Sequence, residues 1–354
     1  MLFFSRISIK DKALFYENVA NLLEGWVTLL MALKWLRDRL PVGKLREWVD
    51  NIVFFVEWGD AVNIAMRKLP NFFDEQEIAI VESGEQTGMI QASFLAIAND
   101  LRGQEELKNK ITSAMTYPII IMLFLVLAIT IVMIYVIPQL MPILWSVSGD
   151  LPITTKALIW TSTFLKENIL LIIIGIAGIG LIGLWYTRTE HGAMMIDHEK
   201  IALPIAWPVY KNYLIVRTMS TFYLLNNAWV SIVKTLRLTG ASSGNIIIKK
   251  LFNTISDDIA GWSKISLSMM ERDKEHTFFT PDIIQMIESA ERTSTIWAIT
   301  AKIATQYKRE VDFALANMVK YIEPIALLLA WVFVLWFAIA IFWAIMQVVS
   351  IAWQ

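Results

Sequence analysis

FFDEQEIAIVESGEQTG, at residues 72–88, occurs a second time in this chain in a related form. Residues 278–294 read FFTPDIIQMIESAERTS, and the two segments align without a gap at a constant shift of 206 residues. Between Phe72/Phe278 and Pro118/Pro324 twelve positions are identical, whereas chance would give about three in a segment of this length. The sequence therefore predicts an internal duplication, and residues 72–88 and 278–294 are called the first and second box below.

Composition places the chain among membrane proteins. Its 354 residues are 56% hydrophobic, include 15 Trp, and have a mean hydropathy of +0.54, above the range of ordinary soluble proteins. A net charge of −1 gives no basic surface for nucleic acid. The absence of Cys excludes disulfides, thiol catalysis and Cys-ligated metals.

Three long uncharged stretches, centred on residues 118–138, 168–187 and 324–347, predict three membrane-spanning helices. Lys and Arg near the spans number eight on the side of the large segments and two in the loop between the first two spans. Because cytoplasmic flanks are rich in Lys and Arg, we expect the N-terminus in the cytoplasm and the C-terminus outside, or just within the outer interface.

We expect an all-α, multi-pass protein with two duplicated cytoplasmic helical bundles. The predicted order is a first cytoplasmic domain at 1–116, a membrane helix at 117–138, a periplasmic loop at 139–167, a membrane helix at 168–187, a second cytoplasmic domain at 188–323, a membrane helix at 324–347 and a periplasmic tail at 348–354. No window shows the two-residue alternation of a strand.

Apolar residues with helical spacing begin each cytoplasmic domain. Phe15, Val19, Leu22 and Trp26 recur at steps of three and four, which predicts one face of a single helix. Residues 25–29 align with residues 228–232 at a shift of 203, so Trp26 corresponds to Trp229. We expect both tryptophans to be core anchors.

Each box has the sequence signature of a helix start. Asp74 followed by Glu77 fits a capping box, and Thr280 followed by Pro281 fits an N-cap with proline at the first helical position. We expect the helix of each box to end at its first Glu. Gly84 and Gly88 then suit a turn across residues 85–87. The second box has Ala290 and Ser294 at these positions, so it must turn without glycine or continue as a helix.

The box contains the candidate functional residues. Two glutamates lie three positions apart in each copy, and four readings stay open for them: capping or bridging of helices, docking of a partner protein, metal binding and catalysis. The candidate docking or turn residues are Glu82, Gly84, Glu85, Thr87, Gly88, Glu288, Glu291 and Thr293. The markers of the repeat and of membrane entry are Gly59, Gly261, Tyr117, Pro118, Glu323 and Pro324.

Motifs for catalysis and cofactors are missing from the sequence. It contains no phosphate-binding loop, no dinucleotide fingerprint, no HExxH and no GxSxG, so we expect neither an enzyme nor a cofactor. His191, Asp197, His198 and Glu199 cluster without a recognised ligand spacing, so we expect no metal. A transporter or channel subunit built from two parallel repeats is the alternative, although the spans lack the ionisable residues of ion paths.

The doubled F-x-x-x-x-I-x-x-x-E-S-[GA]-E-x-T pattern resembles the F family of type II secretion, the inner-membrane platform proteins of type II secretion systems and type IV pili. Each copy leads through a charged helix to a proline-started membrane helix, with TYP first and IEP second. The resemblance covers roughly residues 11–345. Gly59 and Gly261 look like the family's glycine before each box. The glycine-free second box, the abundant Trp and the lack of an N-terminal extension look more like the type IVb pilus branch.

The resemblance implies an assembly function in the bacterial inner membrane. The expected partners are a cytoplasmic hexameric assembly ATPase, pilins, other inner-membrane pilus assembly proteins, the lipid bilayer and further copies of the chain as a homo-oligomer, with no nucleic acid. The platform would couple the ATPase to insertion of pilin subunits into a growing filament.

Overall fold

The computed structural model describes residues 7–145, 153–186 and 207–352, apart from some side chains in the membrane helices. All regular structure in these ranges is helical, which confirms the all-α prediction. The first half contains α1 (Ile9–Glu24), α2 (Leu29–Arg39), α3 (Lys44–Glu57), α4 (Val62–Arg67), α5 (Glu75–Thr87), α6 (Ile90–Ile131), a π-helical turn (Val132–Val136), α7 (Ile137–Trp145) and α8 (Ile153–Tyr186). The second contains α9 (Trp207–Asn227), α10 (Ile232–Ser242), α11 (Ile246–Ala260), α12 (Ile265–Arg272), α13 (Pro281–Thr293) and α14 (Ile296–Ala352).

The chain forms two compact units. The bundle unit comprises Met1–Lys110 and Asp197–Phe313, and the membrane unit comprises Ile111–Ile196 and Ala314–Gln354. Helices α6 and α14 each contribute residues to both units. The bundle unit contains both boxes, and the helices before and within them follow in the same order, α1 to α5 and α9 to α13.

Phenylalanines of the two boxes hold the cores of the bundle unit. Phe72 and Phe73 are buried with ring centroids 4.4 Å apart, and Phe73 packs on Tyr16 of α1. In the second core the rings of Phe278 and Phe279 lie 4.9 Å apart. Edge-to-face packing of this kind adds about 0.5–1.5 kcal/mol per pair beyond burial of apolar area. The paired Phe therefore anchors the start of each box.

The prediction that Trp26 and Trp229 are core anchors is wrong. Their side chains are 98% and 83% exposed, and both residues have φ of 59°. The expected single helix also breaks, since α1 ends at Glu24 and α2 begins at Leu29. Each tryptophan sits in the turn between two helices, where the left-handed backbone directs the side chain away from the bundle. Phe15 and Val19 are buried as expected.

Replacing Trp26 with asparagine should raise the stability of the chain. A bulky residue in the left-handed region costs about 1–2 kcal/mol, whereas Asn tolerates that region and the exposed indole loses little packing. We expect a rise of about 1 kcal/mol in the free energy of unfolding, measured by thermal unfolding of the purified full-length chain. Trp35→Asn is the control, because α2 places that residue in right-handed backbone. A lower melting temperature for Trp26→Asn than for the parent would contradict the strain.

Three helices of the described chain are long and apolar enough to cross a membrane: candidate spans lie within Ile90–Pro142, Ile153–Gly175 and Ile296–Trp343. Pro118 and Pro324 lie inside α6 and α14, so neither proline begins a new helix. The start of the membrane-spanning part of each helix at its proline stays a prediction. The ranges of α6 and α14 each include a charged segment and an apolar span. The predicted periplasmic loop at 139–167 is largely helical, since α7 reaches Trp145 and α8 begins at Ile153.

The membrane unit has a small core of its own around the π-helical turn. Met133, Ile137, Leu158 and Ala340 are buried together. The Thr155 hydroxyl donates to the Ala340 carbonyl at 2.9 Å, and the Ser162 hydroxyl donates to the carbonyl of Met133. A π-turn disturbs the regular helical bonds, and a hydroxyl from a neighbouring helix satisfies a carbonyl there. These contacts join α8 to the other two membrane helices.

Candidate functional site

The two box helices begin as the sequence predicts. Asp74 and Glu77 form a capping box on α5, in which the Asp74 N–H donates to the Glu77 carboxylate at 3.2 Å. Thr280 is the N-cap residue of α13, and Pro281 occupies its first turn. The first N–H groups of a helix have no partners inside it. The capping box gives α5 such partners, and Pro281 has no N–H that would need one.

The end of each box helix differs from the prediction. Helices α5 and α13 continue past their first glutamates to Thr87 and Thr293, so residues 85–87 are helical. Each threonine hydroxyl donates to the carbonyl four residues earlier, at 2.8 Å and 3.0 Å. The turn comes one residue later, with Gly88 at φ 70° and Ser294 at φ 56°. The second box thus makes its turn without glycine, in the same left-handed conformation.

Gly84 permits a close approach of two helices and is not part of the turn. A Cβ at this position would lie 2.8 Å from Ser93 Cβ and 3.3 Å from Ile90 Cα, both on α6. Ala290, at the corresponding position of α13, is fully buried. The small third residue of the E-S-[GA]-E pattern therefore sets the spacing between the box helix and the long helix that follows it.

The second glutamate of the first box caps a neighbouring helix. The Glu85 carboxylate accepts hydrogen bonds from the N–H groups of Val62 at 2.7 Å and Asn63 at 3.0 Å. These groups open α4, which has no side-chain cap of its own. A carboxylate at a helix N-terminus satisfies unpaired donors and interacts favourably with the helix dipole.

Glu291 makes the same arrangement in the second box. Its carboxylate accepts from the N–H groups of Ile265 and Ser266 at the start of α12, at 2.5 Å and 3.1 Å, and from the Ser266 hydroxyl. Both second glutamates of the boxes thus join the box helix to the turn that precedes a short helix. Their carboxylate oxygens are occupied by the chain itself.

The first glutamate of each box points outward, and its surroundings differ between copies. Glu82 lies 2.9 Å from the Lys234 ammonium on α10, and the Ser83 hydroxyl donates to the carbonyl of Ala228. Among the described residues, Glu288 pairs along its own helix, with Arg292 at 2.6 Å. An open cleft of about 500 Å³ lies beside it, lined by Asn226, Ser263, Lys264, Glu288, Glu291, Arg292, Ser294 and Ile296.

The expected glycines before the boxes do not occupy equivalent places. Gly59 has φ of 94° in the turn between α3 and α4, and the corresponding residue in the α11–α12 turn is Trp262, at φ 68° and 97% exposed. Gly261 caps α11 with φ of −86°. Of the residues that mark membrane entry, Pro118 is buried by other parts of the chain. Tyr117, Glu323 and Pro324 are not covered by the chain.

No group of metal-ligating side chains occurs among the residues that the structure describes. The cluster at 191–199 lies outside them.

Residues 15–138 and 218–344 match the family described as Type II secretion system (T2SS), protein F. The chain belongs to the type II secretion system protein F family. The matched ranges contain both boxes and confirm the family resemblance.

Relatives of this F-family chain are named for pilus assembly and secretion. Type IV pilus assembly protein PilC of Thermus thermophilus is 29% identical over 321 residues, 90% of this chain and 78% of that protein. PilC of Pseudomonas aeruginosa is 28% identical over 346 residues, 97% and 91%. Type II secretion system protein F of Aeromonas hydrophila is 22% identical over 329 residues, 92% and 83%. None of these names describes an enzyme, and the type IVb branch stays a prediction.

A buried charge cluster in this F-family chain was not predicted. The Glu77 side chain is 1% exposed, lies 2.8 Å from the Lys12 ammonium and accepts from the Tyr16 hydroxyl at 3.0 Å. Burial raises the pKa of Glu77 from 4.5 to about 7, against the opposing effect of Lys12. A capping box followed directly by four apolar residues, 78–81, is the signal that could have indicated a buried glutamate.

This raised pKa predicts a loss of stability as the pH increases. A carboxyl group with a pKa of 4.5 when unfolded and about 7 when folded contributes stability that is complete below pH 4.5 and is lost as the pH rises through 7. The full effect is about 3 kcal/mol. We expect Glu77→Gln to remove this fall, measured by thermal unfolding of the purified chain at pH 5 and pH 7.5. Lys12 keeps Asp74 at 3.3 Å in that variant. An unchanged pH dependence would show that Glu77 is not its source.

Proposed function

We propose that this chain is the inner-membrane platform of a type IV pilus or type II secretion assembly machine. Its family, the names of its relatives and its three apolar helices support this role. In the proposal the bundle unit lies in the cytoplasm and contacts an assembly ATPase, while the membrane unit contacts pilins. The excess of Lys and Arg beside the large segments supports this orientation, with the C-terminus in the periplasm.

The continuity of α6 and α14 carries the proposed mechanism. Two residues separate each box helix from the long helix that follows, which begins at Ile90 or Ile296 and includes an apolar span. In the proposal, a displacement of the bundle unit reaches the spans along these two helices. In the proposal, the ATPase moves the bundle unit and the spans pass this motion to pilin subunits.

Two ion pairs hold α6 beside α14 within the bundle unit. Lys308 lies 2.8 Å from Glu106, and Lys110 lies 3.0 Å from Asp312. The paired positions advance together along both helices, so the helices run in the same direction. Lys308 also lowers the pKa of Glu106 through their hydrogen bond. Single exposed pairs contribute little to stability, so we interpret this pair of contacts as setting register.

Reversing one charge of these two α6–α14 ion pairs should reduce filament assembly several-fold while leaving the amount of membrane-inserted chain unchanged. Lys308→Glu places a carboxylate opposite Glu106, and like charges at this distance repel. The measurement is surface piliation or secretion in cells that carry only the variant. The double variant Glu106→Lys with Lys308→Glu restores the opposite charges and should restore assembly. Equal assembly in the parent and Lys308→Glu cells would argue against coupling through paired helices.

A further inference from the structure

One box helix of the bundle unit is covered by another part of the chain. Helix α5 of the first box contacts α9 and α10. Ser83 donates to the Ala228 carbonyl in the turn between those helices, and Glu82 pairs with Lys234. Leu225 and Val230, on either side of the turn, are buried in the core that residues 13–101 mainly form. The side of α5 that carries Glu82 and Ser83 is called the receiving face below, and the α9–α10 turn docks on it.

The corresponding face of the second box is open. Ala79 is buried on α5, whereas Gln285 at the matching position of α13 is exposed. Glu288 and Ser289, which match Glu82 and Ser83, are exposed too. Beside Glu288 lies the cleft described above. Within the described part of the chain, helix α13 therefore presents this face with no turn docked on it.

The turn that would match this face is the α1–α2 turn, near the N-terminus of the chain. The α1–α2 turn corresponds to the α9–α10 turn, with Trp26 and Trp229 at the same φ of 59°. Gly25 takes the place of Ala228 and is exposed. Leu22 and Val27, which match the buried Leu225 and Val230, are only half-buried.

We propose that the α1–α2 turn of one copy of this chain docks on α13 of a second copy. The two open surfaces are the two halves of a contact that the chain already makes between its own segments, so each copy offers one donor turn and one receiving face. Such a contact joins different surfaces of the two copies. It repeats head to tail and closes into a ring when the rotation permits. The inference does not depend on the partners proposed above.

The chemistry of the contact between copies differs from that within the chain. Met31 replaces Lys234, and Trp35 replaces the buried Leu238; both Met31 and Trp35 are exposed. Glu288 keeps its own partner, Arg292. The contact between copies therefore depends on apolar burial where the internal contact uses an ion pair, and we expect it to survive high salt. Trp229 stays exposed in the internal contact, so burial of Trp26 is not required.

Disulfide cross-linking tests this arrangement directly, since the chain has no native Cys. Two differently tagged full-length copies are co-produced in membranes, one with Gly25→Cys and the other with Ser289→Cys. Gly25 has φ of −77°, which a side chain tolerates. We expect oxidation to give a dimer that carries both tags, including at high salt, and little dimer from either variant alone. The matched control is Ser83→Cys with Ala228→Cys in one chain, which should form an internal disulfide.

A second pair guards against local misfolding. Met31→Cys and Glu288→Cys, joined by a short bis-maleimide, should behave as the first pair does, with Glu82→Cys and Lys234→Cys as the internal control. The proposal is overturned if both internal controls form while neither mixed pair cross-links. It is also overturned if each variant cross-links mainly to itself, or if Ser289→Cys is captured by a different protein.

Discussion

Replacing Glu85 with alanine is expected to release α4 from the bundle. Two backbone N–H groups, of Val62 and Asn63, lose a charged acceptor that no other side chain provides at this helix start. Hydrogen bonds to charged groups and N-caps each contribute about 1–3 kcal/mol, so we expect a loss of about 2 kcal/mol. Hydrogen exchange of the peptide over residues 60–68 should accelerate at least tenfold in the purified full-length chain.

The same helix provides the matched control. Glu82→Ala removes a carboxylate one turn earlier that pairs with the exposed side chains of Lys234 and Arg67, a type of contact worth at most about 1 kcal/mol. Its exchange over residues 60–68 should stay near that of the parent. Glu291→Ala should accelerate exchange at the start of α12 instead. Equal effects of Glu82→Ala and Glu85→Ala on α4 would show that the cap is not what holds this helix.

Replacing Gly84 with valine is expected to separate α5 from α6. Even the first added carbon would lie 2.8 Å from Ser93 Cβ, and the α6 backbone at Ile90 limits any retreat. Overpacking of this kind costs about 1–3 kcal/mol, and the β-branched side chain puts valine at the upper end. We expect a fall of several degrees in melting temperature and weaker assembly, measured on the full-length chain.

A compensating change distinguishes a steric effect from a loss of glycine flexibility. Gly84→Ala combined with Ser93→Gly removes the nearest atoms, so the double variant should regain part of the stability that Gly84→Ala loses. Ala290→Gly, at the matching position of the second box, should cost only about 1 kcal/mol through the lower helix propensity of glycine. Additive losses in the double variant would contradict the close-packing role of Gly84.

Local features of the chain could be predicted from sequence because their signals are local. The capping box at Asp74 and the N-terminal proline of α13 depend on neighbouring residues alone. The three apolar helices follow from length and composition. Continuity through Pro118 could not be predicted, because proline usually starts or kinks a helix.

Features that depend on backbone conformation or distant partners could not be predicted. Trp26 keeps the three-to-four spacing of α1, so the pattern continues across a helix break that reverses the direction of its side chain. Glu85 lies 22 residues from Asn63, the donor it accepts from, and nothing near either residue indicates the contact. The sequences of α5 and α13 are similar, but the α9–α10 turn covers α5 and leaves the matching face of α13 open. This difference arises from tertiary packing.

The platform role is tested most directly by photo-cross-linking in cells that assemble filaments. A photoreactive residue replaces Trp262, 97% exposed in the bundle unit, or Trp331, 71% exposed in the membrane unit. We expect the first position to capture the assembly ATPase and the second to capture a pilin, each lost when the corresponding partner is deleted. Capture of only this chain, or of a solute-binding protein, at both positions would contradict the role and favour a transporter.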